Sequence, residues 1–115
     1  MVLLIIILIL LDQITKYFLT STINYGAAFG ILQNQRLLLI IISLVVIITC
    51  IYYYKKQNLA LSFILSGTIS NLIDRIFLGY VRDFIDFKIW PVFNLADVFN
   101  CIGVFLLIYF LIKKK

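Results

Sequence analysis

The sequence predicts an all-α integral membrane protein. Four transmembrane helices are joined by short connections, and those at the outer face contain short extended segments. Three observations carry this. Of 115 residues 64% are hydrophobic, with one Pro and five Gly, whereas a soluble domain of this length needs far more polar surface. The apolar residues fall into four runs, 2–19, 37–54, 59–78 and 92–112, each at or near the roughly 17–25 residues that span a bilayer. Short clusters of lysine stand at the ends of the second and fourth runs. The whole chain, 1–115, reads as a single four-span membrane domain.

The first run starts at Met1 without a basic leader region and lacks a small-residue cleavage site, so it reads as a retained anchor rather than a signal peptide. Within it Asp12 and Lys16 are four apart and share a helix face. The connection that follows, 20–35, contains Asn24-Tyr25-Gly26-Ala27-Ala28-Phe29-Gly30 and reads as a turn with extended character. Lys55 and Lys56 close the second run. The tight turn 55–58 makes the second and third runs antiparallel neighbours. The third run places Asn71, Asp74 and Arg75 at i, i+3 and i+4, on one face. A second outer connection, 79–90, mixes aromatics with Arg82, Asp83, Asp86 and Lys88. The fourth run carries Asn94 and Asp97, with Ala96 leaving room for a close neighbour, and ends in Lys113, Lys114 and Lys115.

Orientation follows from charge. Lys55, Lys56 and the three terminal lysines share one face and have no acid beside them. The opposite face holds Lys16, Arg36, Arg75, Arg82 and Lys88, interleaved with all five acids: Asp12, Asp74, Asp83, Asp86 and Asp97. The unaccompanied lysines mark the cytoplasmic side, so both termini are expected inside and the acidic layer at the outer face. Tyr52, Tyr53 and Tyr54 at one face, and Tyr80 and Trp90 at the other, fit interfacial belts. The net charge of +5 does not point to nucleic acid, because the lysines are short clusters at run ends and form no basic stripe. Cys50 and Cys101 lie in different runs and read as packing residues, not a disulfide. There is no His, which removes His-based triads and most zinc sites; neither a metal nor a cofactor is expected.

The acids carry the chemistry. Counted from the outer ends of their runs, Asp12, Asp74 and Asp97 lie at one level, about 7–9 Å deep, and the second outer connection can bring Asp83 to meet them. An ionisable group inside a span is costly, and several at one depth suggest a site. Two adjacent carboxylates share a proton. Such a pair can deprotonate a water for attack on an amide and protonate the leaving nitrogen, without His or metal. Taken alone, Asp12 with Lys16 is the pattern of a helix-surface ion pair, and Asp74 with Arg75 that of a stop signal or interhelical pair. Asp83 alone is a solvated loop charge like Asp86, and 24–30 alone is a turn. Asp97 has no basic residue in its own helix, so it stands out; on these grounds Asp74 ranks above Asp83.

Five segments in order carry a resemblance: Asp12-Gln13-Ile14-Thr15-Lys16, Asn24 to Gly30, Ser70-Asn71-Leu72-Ile73-Asp74-Arg75, Val81-Arg82-Asp83-Phe84, and Phe93-Asn94-Leu95-Ala96-Asp97. Together they resemble the ordered motifs of the lipoprotein signal peptidase (signal peptidase II) family, over nearly the whole chain. The resemblance implies a multi-pass aspartyl endopeptidase of the bacterial inner membrane, with its active site toward the outer face. Such an enzyme removes the signal peptide from diacylglyceryl-modified prolipoproteins just before the lipidated cysteine. It implies a catalytic pair of Asp83 and Asp97, reversing the ranking of Asp74 over Asp83. Support or substrate-binding roles fall on Asp12, Lys16, Asn24, Gly26, Asn71, Asp74, Arg75, Asn94 and Ala96. The expected partners are the lipidated signal peptide and membrane lipids, with the chain a monomer. The chain departs from the family in its short connection between Lys16 and Asn24, where an outer β-structure is nearly absent. The stretch from Asp83 to Asp97 is also compact, and Ser70 stands where Gly is usual. Two other classes compete: a small four-span proton-coupled transporter or exporter, which wants its carboxylate near the midplane, and a non-catalytic membrane subunit whose charges only pair helices.

Overall fold

The computed structural model describes residues 1–114; Lys115, counted above among the terminal lysines, lies outside the described residues. The chain forms helices α1 (Val2–Leu19), α2 (Arg36–Tyr52), α3 (Asn58–Phe77) and α4 (Leu95–Lys113), with strands β1 (Thr22–Asn24) and β2 (Val81–Asp83) in the connections. Each expected run is a helix, with ends shifted by up to three residues. The largest shift is at α4, where Asn94 stops the helix at its N-cap and leaves 92–94 outside. Three helices, α1, α3 and α4, are long and apolar enough to cross a membrane; α2 is apolar but only 17 residues long. The fold is therefore mostly helical with a small two-stranded sheet.

α3 is the central helix. It packs most extensively on α4 and also on α1 and α2, while α2 and α4 have no comparable packing on each other. α1 buries only Leu8, Asp12 and Lys16, one residue per turn on one stripe, half-buries Leu4, Ile5 and Ile9 beside them, and leaves most of its remaining apolar residues exposed. A membrane helix gains little from hiding apolar surface when the solvent is itself apolar, so close packing of small residues and polar contacts hold the bundle instead. Small residues serve the α3–α4 contact. A Cβ on Gly103 would lie 2.5 Å from Ile64 Cγ1 and 2.7 Å from the Ala60 carbonyl oxygen. Gly103→Leu should therefore push the helices apart and destabilise the fold by about 1–3 kcal/mol, read as a lower thermal midpoint in detergent.

The turn between α2 and α3 is a single 3-10 turn, Tyr54–Lys56. Tyr54 does more than sit in an interfacial belt, since its hydroxyl lies 2.5 Å from Ser62 Oγ. At the other end Arg36 donates from Nε and Nη2 to the carbonyls of Arg75 and Ile76, at 2.8 and 2.9 Å. These are the carbonyls that the end of α3 leaves open. β1 and β2 pair antiparallel, Thr22 opposite Asp83 and Asn24 opposite Val81. A bridge between Ile85 and Phe93 then leads the chain into α4. This two-stranded sheet ties the connection after α1 to the one after α3.

Candidate active site

Four of the five acids converge. Asp12, Asp74, Asp83 and Asp97 are each 5% exposed or less, and Asp86 alone stays at the surface, beside Lys88. The level at which they meet is the end of the bundle where α1 and α3 finish and α4 begins.

Asp97 stands in the first turn of α4, not six residues inside a run as the sequence count had it. Asn94 caps that helix reciprocally: Asn94 Oδ1 accepts the Asp97 N–H at 2.9 Å, and Asp97 Oδ2 accepts the Asn94 N–H at 3.2 Å. This is a capping box built from Asn and Asp. Asp97 Oδ1 accepts from Asn71 Nδ2 at 3.1 Å. Both oxygens of Asp97 thus act as acceptors, the pattern of an ionised carboxylate. Asp83 ends β2, and its Oδ1 accepts from Asn94 Nδ2 at 2.9 Å. Asn94 therefore touches both carboxylates, one through its side-chain amide and the other through its cap. Burial first, and the charge of Asp97 second, push Asp83 up from 3.8 to about 7, against the opposing influence of Asn24, Lys16 and Asn94.

Behind this pair lies a buried network. Lys16 and Asp12 pair at 2.6 Å with both side chains fully buried, so the helix-surface ion pair suggested by their spacing is instead an interior one. Ser62, Ser66 and Ser70 are small and fully buried, and Asp12 reaches that face of α3, accepting from Ser70 Oγ at 2.5 Å. Lys16 Nζ also approaches Asp74 at 3.3 Å and donates to Asn71 Oδ1 at 2.9 Å. Asn71 then donates to Asp97, so one chain of contacts runs from Lys16 to the carboxylate. Asp12 Oδ1 accepts the Ala96 N–H at 2.8 Å, satisfying an open amide at the start of α4. Ala96 itself is fully buried, as a small residue in a close contact must be.

Asp74 does not pair with its neighbour Arg75. It receives Arg82 Nη2 at 2.9 Å together with Arg82 Nε and the Arg82 N–H. Adjacent residues on a helix point about 100° apart, so Arg75 faces elsewhere. Its Nη2 donates to the Gly26 carbonyl at 3.3 Å, and its buried Nε has no partner. Asn24 fixes the same loop, accepting from the Gly26 N–H at 2.8 Å and donating to the Ala27 carbonyl at 2.8 Å. Gly26 admits no side chain, because a Cβ there would meet the Ile31 carbonyl.

Gln13, Ser70 and Arg82 were not singled out as site residues from the sequence. Gln13 Nε2 donates to Ser70 Oγ at 2.9 Å and Asp74 Oδ1 at 3.1 Å, and Arg82 Nη2 donates to Gln13 Oε1 at 2.6 Å. The four-residue spacing of Ser62, Ser66, Ser70 and Asp74 is a signal that could have found Ser70, since it lays a polar stripe along one face of α3; no comparable signal marks Gln13 or Arg82. Arg82 ties β2 to α3 one residue before Asp83. Arg82→Met should lower the cleavage rate about 10–100-fold by loosening that strand, with Arg82→Lys intermediate, as measured by initial rates on protein of matched fold.

Asp97 is flanked by two cavities. On one side is an apolar cleft of about 460 Å³ whose walls include Phe29, Phe87, Trp90, Phe93 and Cys101. Phe29 and Trp90 meet edge to face at 5.5 Å across the two outer connections, which makes Trp90 a cleft wall rather than a simple belt residue. On the other side is a polar pocket of about 140 Å³ bounded by Ser43, Thr68, Asn71, Arg75 and Asn100. Asp97 thus stands between an apolar cleft and a smaller, more polar pocket, while Asp83 lines a third space of about 160 Å³ together with Asn24 and Gln33.

The comparisons with known proteins give the family. Residues 18–113 match the family model described as signal peptidase (SPase) II. The chain is similar to the lipoprotein signal peptidase of Caldanaerobacter subterraneus subsp. tengcongensis, 42% identical with 92% of this chain and 91% of that one covered. It is likewise similar to that of Halothermothrix orenii, 44% identical over 96% and 94%. Those alignments extend over 132 and 136 positions, longer than the chain itself, so both relatives carry residues that this chain lacks. Among solved structures, a bacterial membrane enzyme determined by the in meso method at 2.3 Å resolution superposes with a TM-score of 0.90 at 31% identity, covering 97% of this chain and 87% of that one. The family model, the relatives and the shared fold show that the chain belongs to the signal peptidase II family.

Proposed function

We propose that the chain is an aspartic endopeptidase that cuts signal peptides from diacylglyceryl-modified prolipoproteins just before the lipidated cysteine, with Asp83 and Asp97 as its catalytic pair. The observation that carries this is Asn94, which holds one carboxylate by its amide and the other by its cap. Asp97, an acceptor at both oxygens, takes the proton of a water as that water attacks the scissile carbonyl. Asp83, whose proton is held up to about neutral pH, gives it to the carbonyl oxygen, and the pair returns a proton to the leaving nitrogen. Arg75 borders the smaller pocket beside Asp97, and its buried Nε has no partner, so a modest side-chain shift would let it donate to a substrate carbonyl. The apolar cleft beside Asp97 suits an acyl chain of the lipidated cysteine. Asp12, Lys16, Asn71, Asp74 and Asn94 hold the pair in place, Ala96 lets α4 approach, and Asn24 and Gly26 shape the loop that Arg75 grips.

In this reading all four helices cross the bilayer, since the 17 residues of α2 meet the lower limit of about 17. The lysine-rich helix ends and both termini face the cytoplasm of a bacterial inner membrane, and the site opens to the outer leaflet. The chain forms one membrane domain and acts as a monomer on a lipidated substrate. A proton-coupled transporter is disfavoured by position: Asp97 lies in the first turn of α4 and Asp74 in the last turn of α3, away from the midplane where carriers bind.

The test is cleavage by the purified chain of a diacylglyceryl-modified prolipoprotein beside its unmodified form. Cleavage of the lipidated form alone is expected; a folded chain that cuts neither overturns the proposal. Activity should fall as pH rises through about 7, where Asp83 loses its proton and the pair holds none to donate. Stability moves in the same direction. Because the folded-state value of Asp83 is raised, the contribution of its proton is full below about 4 and lost as pH rises to about 7. A pH–rate profile of kcat/KM with a flat alkaline limb to pH 9 would contradict the shared-proton pair.

A further inference from the structure

At the end of the bundle opposite the acids, Lys56, Lys113 and Lys114 gather with Gln57, Asn58, Leu59 and Phe110 around a cavity of about 360 Å³. No Asp is near it, since four are buried in the site and Asp86 pairs with Lys88. The first turn of α3 begins at this cavity, and Gln57 caps that helix without a side-chain bond, leaving amide donors for an anion. Two of the lysines are held at the rim over rings: Lys56 Nζ lies 5.9 Å from the Tyr53 centroid and Lys113 Nζ 5.8 Å from that of Tyr109.

The cavity continues into a groove. Because α2 and α4 pack on α3 but not closely on each other, a trough of about 540 Å³ runs between them, floored by Leu61 and Ile64 of α3. Its walls include Val45, Thr49, Val104 and Leu107, and Lys56, Gln57 and Lys114 border both spaces. Lysines at a helix end satisfy the orientation rule without any groove, and any apolar trough in a membrane meets acyl chains. The combination is more specific: a cationic pocket placed at the mouth of a trough fits a phosphodiester headgroup with its chains lying beneath it.

We propose that this end of the molecule is a binding site for one anionic phospholipid, its phosphate held by Lys56, Lys113 and Lys114 and its acyl chains laid in the trough between α2 and α4. The site is separate from the carboxylate pair and independent of the reaction there. The experiment is thermal unfolding of delipidated chain in neutral detergent, titrated with phosphatidylglycerol, with phosphatidylcholine, or with inorganic phosphate. Phosphatidylglycerol should raise the midpoint by on the order of 5 °C at saturation, and the other two should not. The triple variant Lys56→Gln, Lys113→Gln, Lys114→Gln should keep its own midpoint without lipid and lose the response. Thr49→Trp, which fills the trough while keeping the lysines, should lose it too. An equal response to phosphatidylcholine, a response to phosphate alone, or a response that survives the triple variant would overturn the proposal. A response that survives Thr49→Trp would overturn the placing of the acyl chains.

Discussion

Asp97→Asn should leave a folded chain that no longer cuts, its rate reduced by on the order of 10⁴-fold or more. Asparagine keeps an oxygen that can accept the Asn94 N–H, so the cap of α4 survives in large part. What is lost is the base. Asp83→Asn should be equally inactive, because an amide keeps the acceptor for Asn94 Nδ2 but has no proton of suitable acidity to give. Its stability should not fall, and above pH 7 it should rise, since the variant removes a carboxylate that burial and Asp97 disfavour as an anion. The two replacements together should cost little more than either alone, as groups acting as a unit are not additive. Single-turnover cleavage and thermal midpoints on the same preparations decide the matter. An inactive variant with an unchanged midpoint marks a chemical lesion; a folded Asp97→Asn variant cutting at the parent rate would remove the pair from the mechanism.

The legible part of this fold was its helices. Apolar runs bounded by charge place α1, α2 and α3 to within two residues, because burial in lipid is written one residue at a time. Helix ends set by single side chains were less legible. The true start of α4 depends on Asn94 folding back onto Asp97, and that moved Asp97 from an apparent interior depth to a first turn. Partnership across helices was the least legible. Spacing suggested Asp12 with Lys16 and Asp74 with Arg75; the first pair forms, buried rather than exposed, while Asp74 turns to Arg82, reached only once β2 doubles back over α3. Asp83 could not outrank Asp74 on spacing, because its role depends on where a strand of three residues puts it. The ordered motifs put Asp83 first by resemblance, and the contact through Asn94 is the observation that supports its proposed pairing with Asp97.

Lys16→Met should be the most damaging single change away from the carboxylate pair, destabilising the fold by about 3–5 kcal/mol. The ammonium is fully buried and lies 2.6 Å from Asp12, 3.3 Å from Asp74 and 2.9 Å from Asn71 Oδ1. Asp74 retains Arg82 when it goes, but Asp12 retains only neutral donors, Ser70 Oγ and the Ala96 N–H. A buried carboxylate without a counter-charge then either stays ionised at high cost or takes up a proton. The double variant Asp12→Asn, Lys16→Met removes both charges and should recover part of the loss, giving a coupling energy in a double-mutant cycle on unfolding midpoints. Two singles whose effects simply add would mean that the pair is not coupled. The same replacement reaches the chemistry by a second route. Asn71 is held by Lys16 on one side and holds Asp97 on the other, so the recovered stability of the double variant should not restore cleavage. Stability regained without activity would separate what the ion pair does for the fold from what its ammonium does for Asp97, the proposed catalytic carboxylate.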